Sequence, residues 1–396
     1  MQVTFTPKPS AFGVSTSSGP RLMDLAKAVA GQYPAKHGLL LRLEELTLRL
    51  RSNSEALLED LRAYFGELAQ DDPGGLISGG SGSQGTEQLF LLLEAPAARP
   101  PVQLTPRPAP PGKRQDKERY ADVGGGRVVR KQATGMLFFF GPSPAPNIAV
   151  GPCLENRNQV VNFLCTRYLE RRVAQGWLLA HAAGVVCEGK GLALCGFAGM
   201  GKSTLALHLV ARGGRFLTND RAAIEPGTGP GKDEGAPVLH GIPKHPRLNP
   251  GTALGNAELS PLLSCALPEE LRLAYSGLPK EELFALEHKY DALIPACFGP
   301  GRMALSAPLA GLVVLNWSHG GGPMKAGRVD LAERPDLVEA LRKEPGLFYL
   351  PEALRTAKLA PGDYARVLAG VPALELSGGS DFAAGADACL ELLGSN

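Results

Sequence analysis

Nine residues in the middle of the chain have the types and spacing of a polyphosphate-binding loop. Residues 196–204 (GFAGMGKST) fit the pattern G-x4-G-K-[S/T] at every fixed position. In such a loop, backbone N–H groups surround the phosphates, the lysine ammonium reaches the β- and γ-phosphates, and the first hydroxyl ligates Mg²⁺. The segment therefore predicts a site for a nucleoside triphosphate. Its predicted nucleotide-binding residues are Gly196, Phe197, Ala198, Gly199, Met200, Gly201, Lys202, Ser203 and Thr204, with Ser203 also the metal ligand.

Two further candidates for chemistry lie on either side of this loop. Asp220 follows Ser203 by 17 residues, so one helix and one short strand can return it to the carboxyl edge of a sheet, beside the phosphates. A carboxylate there can accept the proton of an acceptor hydroxyl, although an Asp at a strand end can also simply cap a turn. His181 lies in an apolar stretch, where a lone histidine is more often a core residue that pairs with a backbone carbonyl.

A proline-rich loop and one isolated arginine offer positive charge to an anionic ligand. Residues 244–250 (KHPRLNP) include Lys244, His245 and Arg247. Guanidinium groups match phosphate oxygens in a bidentate manner, so Arg247 is a candidate to clamp a transferring phosphate. An exposed polar loop explains the same residues equally well, and Arg302 admits the same two interpretations.

The elements around the glycine loop are those that such a site requires. Residues 191–195 form a short apolar run bounded by glycines, which is typical of a buried parallel strand. Residues 203–212 carry leucine and valine at helical spacing, and two glycines end the predicted helix. The helix N-terminus then points at the phosphates. A short strand over 215–218 leads to Asp220.

Elsewhere, strands and helices alternate, which indicates an α/β core. We predict helices over 21–33, 156–174 and 382–393. A further helix is predicted to begin at a capping box over 52–55 and to continue to residue 68. We predict strands over 39–50 with a turn near Glu45, and over 88–93, 123–130, 135–140, 177–186, 311–317 and 371–376. Stretches 71–86, 95–119 and 227–235 are rich in Gly, Ser or Pro and predict loops. We expect residues 1–150 to form a smaller N-terminal α+β region and residues 151–396 to form the domain that holds the glycine loop.

Composition excludes several classes of function. The formal net charge is +2, without a broad basic surface pattern, so we expect no nucleic-acid partner. The 7 cysteines are widely spaced and lack any C-x2-C pair, which predicts core thiols in a reducing cytoplasm and not a disulfide frame or zinc site. No apolar run approaches the ~20 residues needed to cross a bilayer, and the N-terminus lacks an apolar signal segment. These features predict a cytoplasmic protein without a membrane partner.

Residues 181–221 resemble the catalytic core of the HPr kinase/phosphorylase family. The shared pattern is a histidine, a strand, a glycine, a second strand, the phosphate loop, a helix ending in Arg-Gly and a strand that closes on Asp-Asp-Arg. Over most of the chain, the sequence is more similar to the HPr-kinase-related kinases of group B, through segments 180–183 (AHAA), 218–221 (TNDR) and 246–251 (PRLNPG). The resemblance implies an α/β fold with a P-loop kinase core of the HPr kinase/PEP carboxykinase type.

The resemblance also implies roles for single residues. Asp220 falls on the family's general base, which deprotonates the acceptor hydroxyl, and His181 falls on its active-site histidine. Lys202 falls on the phosphate-loop lysine, and Ser203 on the magnesium-binding serine. ATP and Mg²⁺ are the nucleotide and the metal that these correspondences imply.

Some positions depart from the family pattern. Asn219 stands where HPr kinases have the first Asp of the pair. The family's Glu-x-Arg-Gly segment has no clear counterpart, since residues 240–244 (HGIPK) occupy that region, and its Tyr-Asp-Arg is here Tyr-Asp-Ala at 290–292. Arg302 corresponds only loosely to an arginine linked to dephosphorylation. The reverse, phosphorolytic reaction and HPr as the substrate are therefore not supported.

The sequence favours an ATP-dependent kinase that transfers the γ-phosphate to a hydroxyl of a small metabolite or a protein serine. A regulatory NTPase is one alternative, although the guanine-reading Asn-Lys-x-Asp and the Asp-x-x-Gly segments are missing. A lyase similar to PEP carboxykinase would need further metal ligands. A scaffold that binds nucleotide without chemistry is a third alternative. The sequence is silent on oligomeric state, and a homo-oligomer stays open.

Overall fold

The computed structural model describes most of the chain. The described residues are 19–72, 87–97, 99–108, 117–197, 199–227, 235–254, 259, 262, 267–279, 282–283, 286, 289–318 and 320–394. Ala198, and most of the loops predicted over 71–86 and 227–235, lie outside these ranges. Within them the protein is a mixed α/β structure with two large mixed sheets.

The first sheet contains nine of the described strands. They are β1 (His37–Leu43), β2 (Leu46–Ser52), β3 (Ala69–Asp71), β4 (Glu87–Glu94), β5 (Thr105–Pro106), β6 (Glu118–Val123), β7 (Gly126–Lys131), β8 (Leu137–Phe140) and β9 (Asn147–Gly151). Their order is β3-β1-β2-β4-β9-β8-β7-β6-β5, and only the pairs β2–β4 and β4–β9 are parallel. The sheet thus ends close to residue 150, where the sequence predicts a boundary.

Helices cover both faces of this sheet. On one face lies α1 (Leu22–Gln32), and on the other lie α2 (Glu55–Phe65) and α3 (Arg157–Ala174). The turn predicted near Glu45 is confirmed, because β1 and β2 form a hairpin across it. The predicted capping box is wrong in detail: Ser54 caps α2 by accepting a hydrogen bond from the Leu57 N–H, while the Ser52 hydroxyl donates to the Leu92 carbonyl. The predicted loop over 95–119 also contains β5 and the start of β6.

The second sheet carries the glycine loop. Its strands are β10 (Leu178–Ala180), β11 (Ala182–Cys187), β12 (Lys190–Gly196), β13 (Arg215–Thr218), β14 (Ala222–Glu225), β15 (Val238–Gly241), β18 (Ser306–Ser318), β19 (Met324–Val329) and β20 (Ala373–Gly379). The main order is β10-β14-β15-β18-β12-β11-β13, with β20 paired to β18 and β19 paired to β20. A separate pair joins β16 (Arg247–Leu248) to β17 (Tyr290–Asp291).

Helices also flank the second sheet. They are α4 (Lys202–Ala211), α5 (Pro250–Leu254), α6 (Glu269–Ser276), α7 (Ile294–Phe298), α8 (Pro335–Leu341), α9 (Pro351–Arg355), α10 (Pro361–Val367) and α11 (Phe382–Gly394). Apolar residues of α4 and α11 pack on one face, and those of α8 and α10 pack on the other. The strand predicted over 191–195 is β12, but its pairing is mixed, since β18 is parallel to it and β11 antiparallel.

Helix α3 lies between the two sheets. Phe163 on α3 is fully buried, and its ring lies 4.9 Å from that of Phe138 and 5.2 Å from that of Phe348, centroid to centroid. Thr166 on the same helix accepts a hydrogen bond from Arg221, which directly precedes β14. Although α3 follows the predicted boundary in sequence, it therefore completes the core of the first sheet and also contacts the second.

Among the cysteines that the structure describes, five follow the sequence prediction and one does not. Five are buried thiols, namely Cys153, Cys165, Cys187, Cys195 and Cys389. Cys297 is disulfide-bonded, so the prediction of thiols throughout is wrong at this position. Within the described ranges, no helix combines the length and the apolar character that spanning a membrane requires.

We expect Phe163→Ala to lower the free energy of unfolding by about 3–5 kcal/mol, because it leaves a cavity inside the aromatic cluster that joins α3 to the first sheet. Chemical denaturation of the full chain measures this loss. Leu154→Ala is the control, since that side chain is 43% exposed. Equal stability of the two variants would show that α3 does not depend on this cluster.

Candidate active site at one edge of the second sheet

Strand direction brings three predicted site segments to the same edge of the second sheet. β11 is antiparallel to both β12 and β13, so the start of β11 lies beside the ends of its two neighbours. His181 directly precedes β11, the glycine loop follows β12, and Asp220 follows β13 by two residues. The single strand predicted over 177–186 is in fact two strands, and His181 is at the break, since β10 pairs with β14 instead.

Two lysines reach the same edge from more distant parts of the chain. β14 begins two residues after Asp220 and is antiparallel to β15, so Lys244, three residues beyond β15, returns to this edge. Lys343 lies two residues beyond the end of α8. The last residue of this helix, Leu341, accepts a hydrogen bond from the backbone N–H of His181 at 2.6 Å. The N–H of Lys343 in turn donates to the Leu179 carbonyl at 3.3 Å. Five segments of the chain thus converge at one place.

The glycine loop has a backbone that requires glycine at several positions. Gly196, Gly199 and Gly201 all have positive φ angles, of 147°, 85° and 82° respectively, which residues with a Cβ rarely adopt. Lys202 begins α4, and its ammonium donates to the carbonyls of Gly196 at 2.6 Å and Phe197 at 3.1 Å. These bonds hold the ammonium within the curve of the loop. The predicted loop residue Ala198 lies outside the described residues.

Two aromatic side chains that the sequence analysis did not single out support this loop. The indole N–H of Trp317 on β18 donates to the Met200 carbonyl at 2.8 Å. The ring of Phe382, at the start of α11, lies so close to Gly201 that a Cβ at this position would be 2.6 Å from it. A glycine is required at 201 both for its φ angle and for this contact. Sequence patterns offered no signal here, because both aromatic residues appear as ordinary core positions.

A hydrogen bond links the helix after the loop to the strand end that carries Asp220. The Ser203 hydroxyl donates to Asn219 Oδ1 at 2.6 Å. Thr218 stabilises the turn that follows, because its hydroxyl donates to the Arg221 carbonyl and accepts from the Ile242 N–H. Asn219 is thus a neutral acceptor for the Ser203 hydroxyl.

Asp220 adopts a left-handed backbone conformation and lies among cations. Its φ angle is 73°, which costs a non-glycine residue roughly 1–2 kcal/mol and marks a position under constraint. Its carboxylate lies 3.5 Å from Arg221 Nε and 3.7 Å from the ammonium groups of both Lys244 and Lys343. His181 Nε2 is also 3.7 Å away. Lys343 has no local motif, so the sequence analysis missed it.

These charges set the protonation states of the site. Burial by itself raises the pKa of Asp220, but the positive charges of Lys244, Lys343 and Arg221 outweigh it, so the pKa is lowered and the carboxylate is ionised at neutral pH. Burial, with the charges of Lys202 and Lys343, lowers the pKa of His181 to about 4, so its ring is neutral. Burial also lowers the pKa of both Lys202 and Lys343.

Several predicted residues do not join this cluster. Arg247 donates to the Lys289 carbonyl and lies 3.6 Å from Asp291, on the small β16–β17 sheet. His245 is buried and bonds to the backbone of Tyr64 and Ile294.

Three other predicted positions also lie apart from the cluster. Arg302 donates to the carbonyls of Val210 and Gly213, at the C-terminal end of α4. Its positive charge complements the negative end of that helix, so it stabilises α4 from the end opposite the loop. Thr204 is buried in the first turn of α4, whereas Phe197 is 57% exposed on the loop.

The geometry combines the glycine loop with an ionised carboxylate and a neutral histidine. The Ser203 hydroxyl keeps both lone pairs when it donates to Asn219, so it retains the capacity to ligate a cation. No group of three or more His, Cys, Asp and Glu side chains suited to a metal occurs within the part of the chain that the structure describes.

Comparisons with known proteins give little further information. No protein-family model matches the chain, and no curated protein matches it. Among solved structures, it is similar to that of the Hpr(Ser) kinase/phosphatase from Coxiella burnetii. The match has 10% sequence identity and a TM-score of 0.26, and it covers 55% of this chain and 88% of that chain. A likeness this distant assigns neither an activity nor a ligand.

We expect the stability of the protein to fall as the pH drops from 6.5 towards 4, in part through His181. Its lowered pKa means that the unfolded state binds a proton in this window while the folded state does not, so stability rises with pH there. His181→Gln should remove about 2 kcal/mol of this loss, allowing for partial exposure of the ring. Urea unfolding at about pH 7 and about pH 4.5 measures the difference. His37→Gln, at the start of β1, is the control; identical pH dependence in both variants would refute the assignment.

Proposed function

We propose that the protein is a kinase that transfers the γ-phosphate of ATP to a hydroxyl group, with Asp220 as the general base. The observation that supports this most directly is the 2.6 Å hydrogen bond between Ser203 and Asn219, because it connects the helix after the glycine loop to the strand end that carries Asp220. A site for phosphates and an ionised carboxylate then adjoin each other, as phosphoryl transfer requires.

In this proposal the residues of the chain divide the work. The backbone N–H groups of residues 199–203 and the Lys202 ammonium bind the β- and γ-phosphates. The acceptor hydroxyl lies against Asp220, which takes its proton as the hydroxyl oxygen bonds to the γ-phosphorus and the bond to ADP breaks. The low pKa of Asp220 suits a reaction in which the proton moves late, after most of the bond to ADP has broken.

His181 and Ser203 complete the proposed site. The His181 ring is neutral and lies 3.7 Å from the Asp220 carboxylate, so it can orient the acceptor without neutralising the base. Ser203 would hold Mg²⁺, because its hydroxyl proton is directed at Asn219 and its lone pairs are left for a cation. When bound, Mg²⁺ neutralises phosphate charge. Arg247, a candidate from the sequence, has contacts that favour a role in the small β16–β17 sheet instead.

We expect Lys202→Ala to weaken Mg-ATP binding about tenfold to a hundredfold, since the lysine makes charge-assisted contacts to the phosphates. Isothermal titration with Mg-ATP, and separately with Mg-GTP, measures the change and the base preference. Lys325→Ala is the control, because that lysine is exposed on β19. Unchanged affinity for ATP in Lys202→Ala would refute the assignment of the nucleotide site.

We expect Asp220→Asn to keep Mg-ATP binding within about threefold and to lower the transfer rate about a hundredfold or more, because proton transfer contributes 10²–10⁴-fold. The assay incubates the protein and Mg-ATP with a metabolite extract and with a peptide mixture, and mass spectrometry detects ATP-dependent gain of one phosphate. Asp387→Asn, on the outer face of α11, is the matched control. Equal transfer by Asp220→Asn would refute the general base, whereas ATP binding without any transfer by the wild type would favour the nucleotide-binding regulator.

A further inference from the structure

Positive charge exceeds negative charge on the Asp220 side of the site. We define the acceptor-side cluster as Arg221, Lys244 and Lys343, whose nitrogens lie 3.5–3.7 Å from the Asp220 carboxylate. Within the described ranges, none of the three forms an ion pair with any other carboxylate. Three cations thus share one anion.

Neutral groups hold this cluster in position. The Arg221 guanidinium donates to the Thr166 hydroxyl, and the Lys244 ammonium donates to Asn162 Oδ1 at 3.4 Å. Both acceptors lie on α3, which therefore orients Arg221 and Lys244 without cancelling their charge. Ordinary structural cations at comparable burial in this protein are paired more tightly, as Arg157 is with Asp60 and with Asp291, at 2.8 Å each.

The contacts to Asp220 leave donors for a ligand. Distances of 3.5–3.7 Å exceed the 2.7–2.9 Å of a close charge-assisted hydrogen bond. An ammonium group has three donors, so Lys244 and Lys343 can each bind a further acceptor while they remain near Asp220. Their side chains are 19% and 25% exposed, which makes the cluster accessible to a small compound but recessed from a flat surface.

The location of the cluster indicates which ligand it serves. In the proposed function, the glycine loop and Lys202 bind the phosphates of the nucleotide. The acceptor-side cluster instead surrounds Asp220, the proposed base. A general base must lie within hydrogen-bond reach of the hydroxyl that it deprotonates, so any group that contacts these cations belongs to the acceptor or lies next to it.

We propose that Lys244, Lys343 and Arg221 bind an anionic group of the acceptor, which is therefore a small hydroxyl compound that carries a phosphate or a carboxylate close to the reacting hydroxyl. This inference rests on the proposed kinase function. It makes Lys244 and Lys343 determinants of specificity, since a neutral alcohol would leave two cations without a counter-charge.

The test titrates inorganic phosphate, and separately acetate, into the full-length protein saturated with Mg-AMPPNP, a nucleotide that does not transfer its phosphate. We expect at least one of the two anions to bind. The anion that binds more tightly identifies the anionic group of the acceptor. Lys343→Met and Lys244→Met should each weaken that binding about tenfold, because each removes one charge-assisted contact and keeps the aliphatic stem. Lys325→Met should leave it unchanged.

Three outcomes would overturn the inference: neither anion binds, the bound anion competes with Mg-AMPPNP, or the two methionine variants bind it as well as the control. Thermal unfolding of each variant shows that it is folded. If Mg-AMPPNP itself fails to bind, the proposed function fails, and the anion titration is repeated on the free protein. Binding that then depends on Lys343 supports the anion site alone, whereas binding that depends only on Lys202 rejects it.

Discussion

The site depends on the direction in which neighbouring strands run. A loop after one strand and the turn before an antiparallel neighbour always lie at the same edge, and in this sheet the rule applies repeatedly. The rule gathers His181, the glycine loop, Asp220 and Lys244, which the sequence separates by as many as 63 residues. The long strand β18 holds the two halves of the arrangement together, because it pairs with β15 through its first residues and with β12 through its later ones.

Electrostatics then distinguishes this edge from an ordinary sheet edge. One carboxylate lies among three cations and a histidine, and the positive charges lower the pKa of Asp220. Burial, together with the charges of Lys202 and Lys343, lowers the pKa of His181. Burial lowers the pKa of Lys343 and Lys202, and repulsion from neighbouring cations adds to this effect. The cluster is thus an arrangement of net positive charge that the fold maintains through packing and neutral hydrogen bonds.

Sequence reasoning recovered what local chemistry determines and missed what distant contacts determine. The strand–loop–helix around Lys202 was predictable because glycine tolerance and apolar periodicity are local properties. The break between β10 and β11 at His181 was not predictable, because it arises where β10 pairs with β14. Ser52 and Ser54 compete for the same cap, and the outcome is settled by Leu92, 40 residues away in sequence. Lys343 is brought to the site by backbone pairing with Leu179, which no spacing rule connects to it.

Asn219 connects the geometry of the loop to the charge of the cluster. A carboxylate at this position would accept the hydrogen bond from the Ser203 hydroxyl equally well. It would, however, add a second negative charge one residue from Asp220. The amide keeps the hydrogen bond that aligns α4 with the strand end and withholds that charge. The excess of positive charge on Lys244 and Lys343 therefore remains even though Asp220 is ionised. Because an uncompensated cluster at partial burial is unfavourable, its presence around Asp220 supports the proposal of a ligand that brings the missing negative charge.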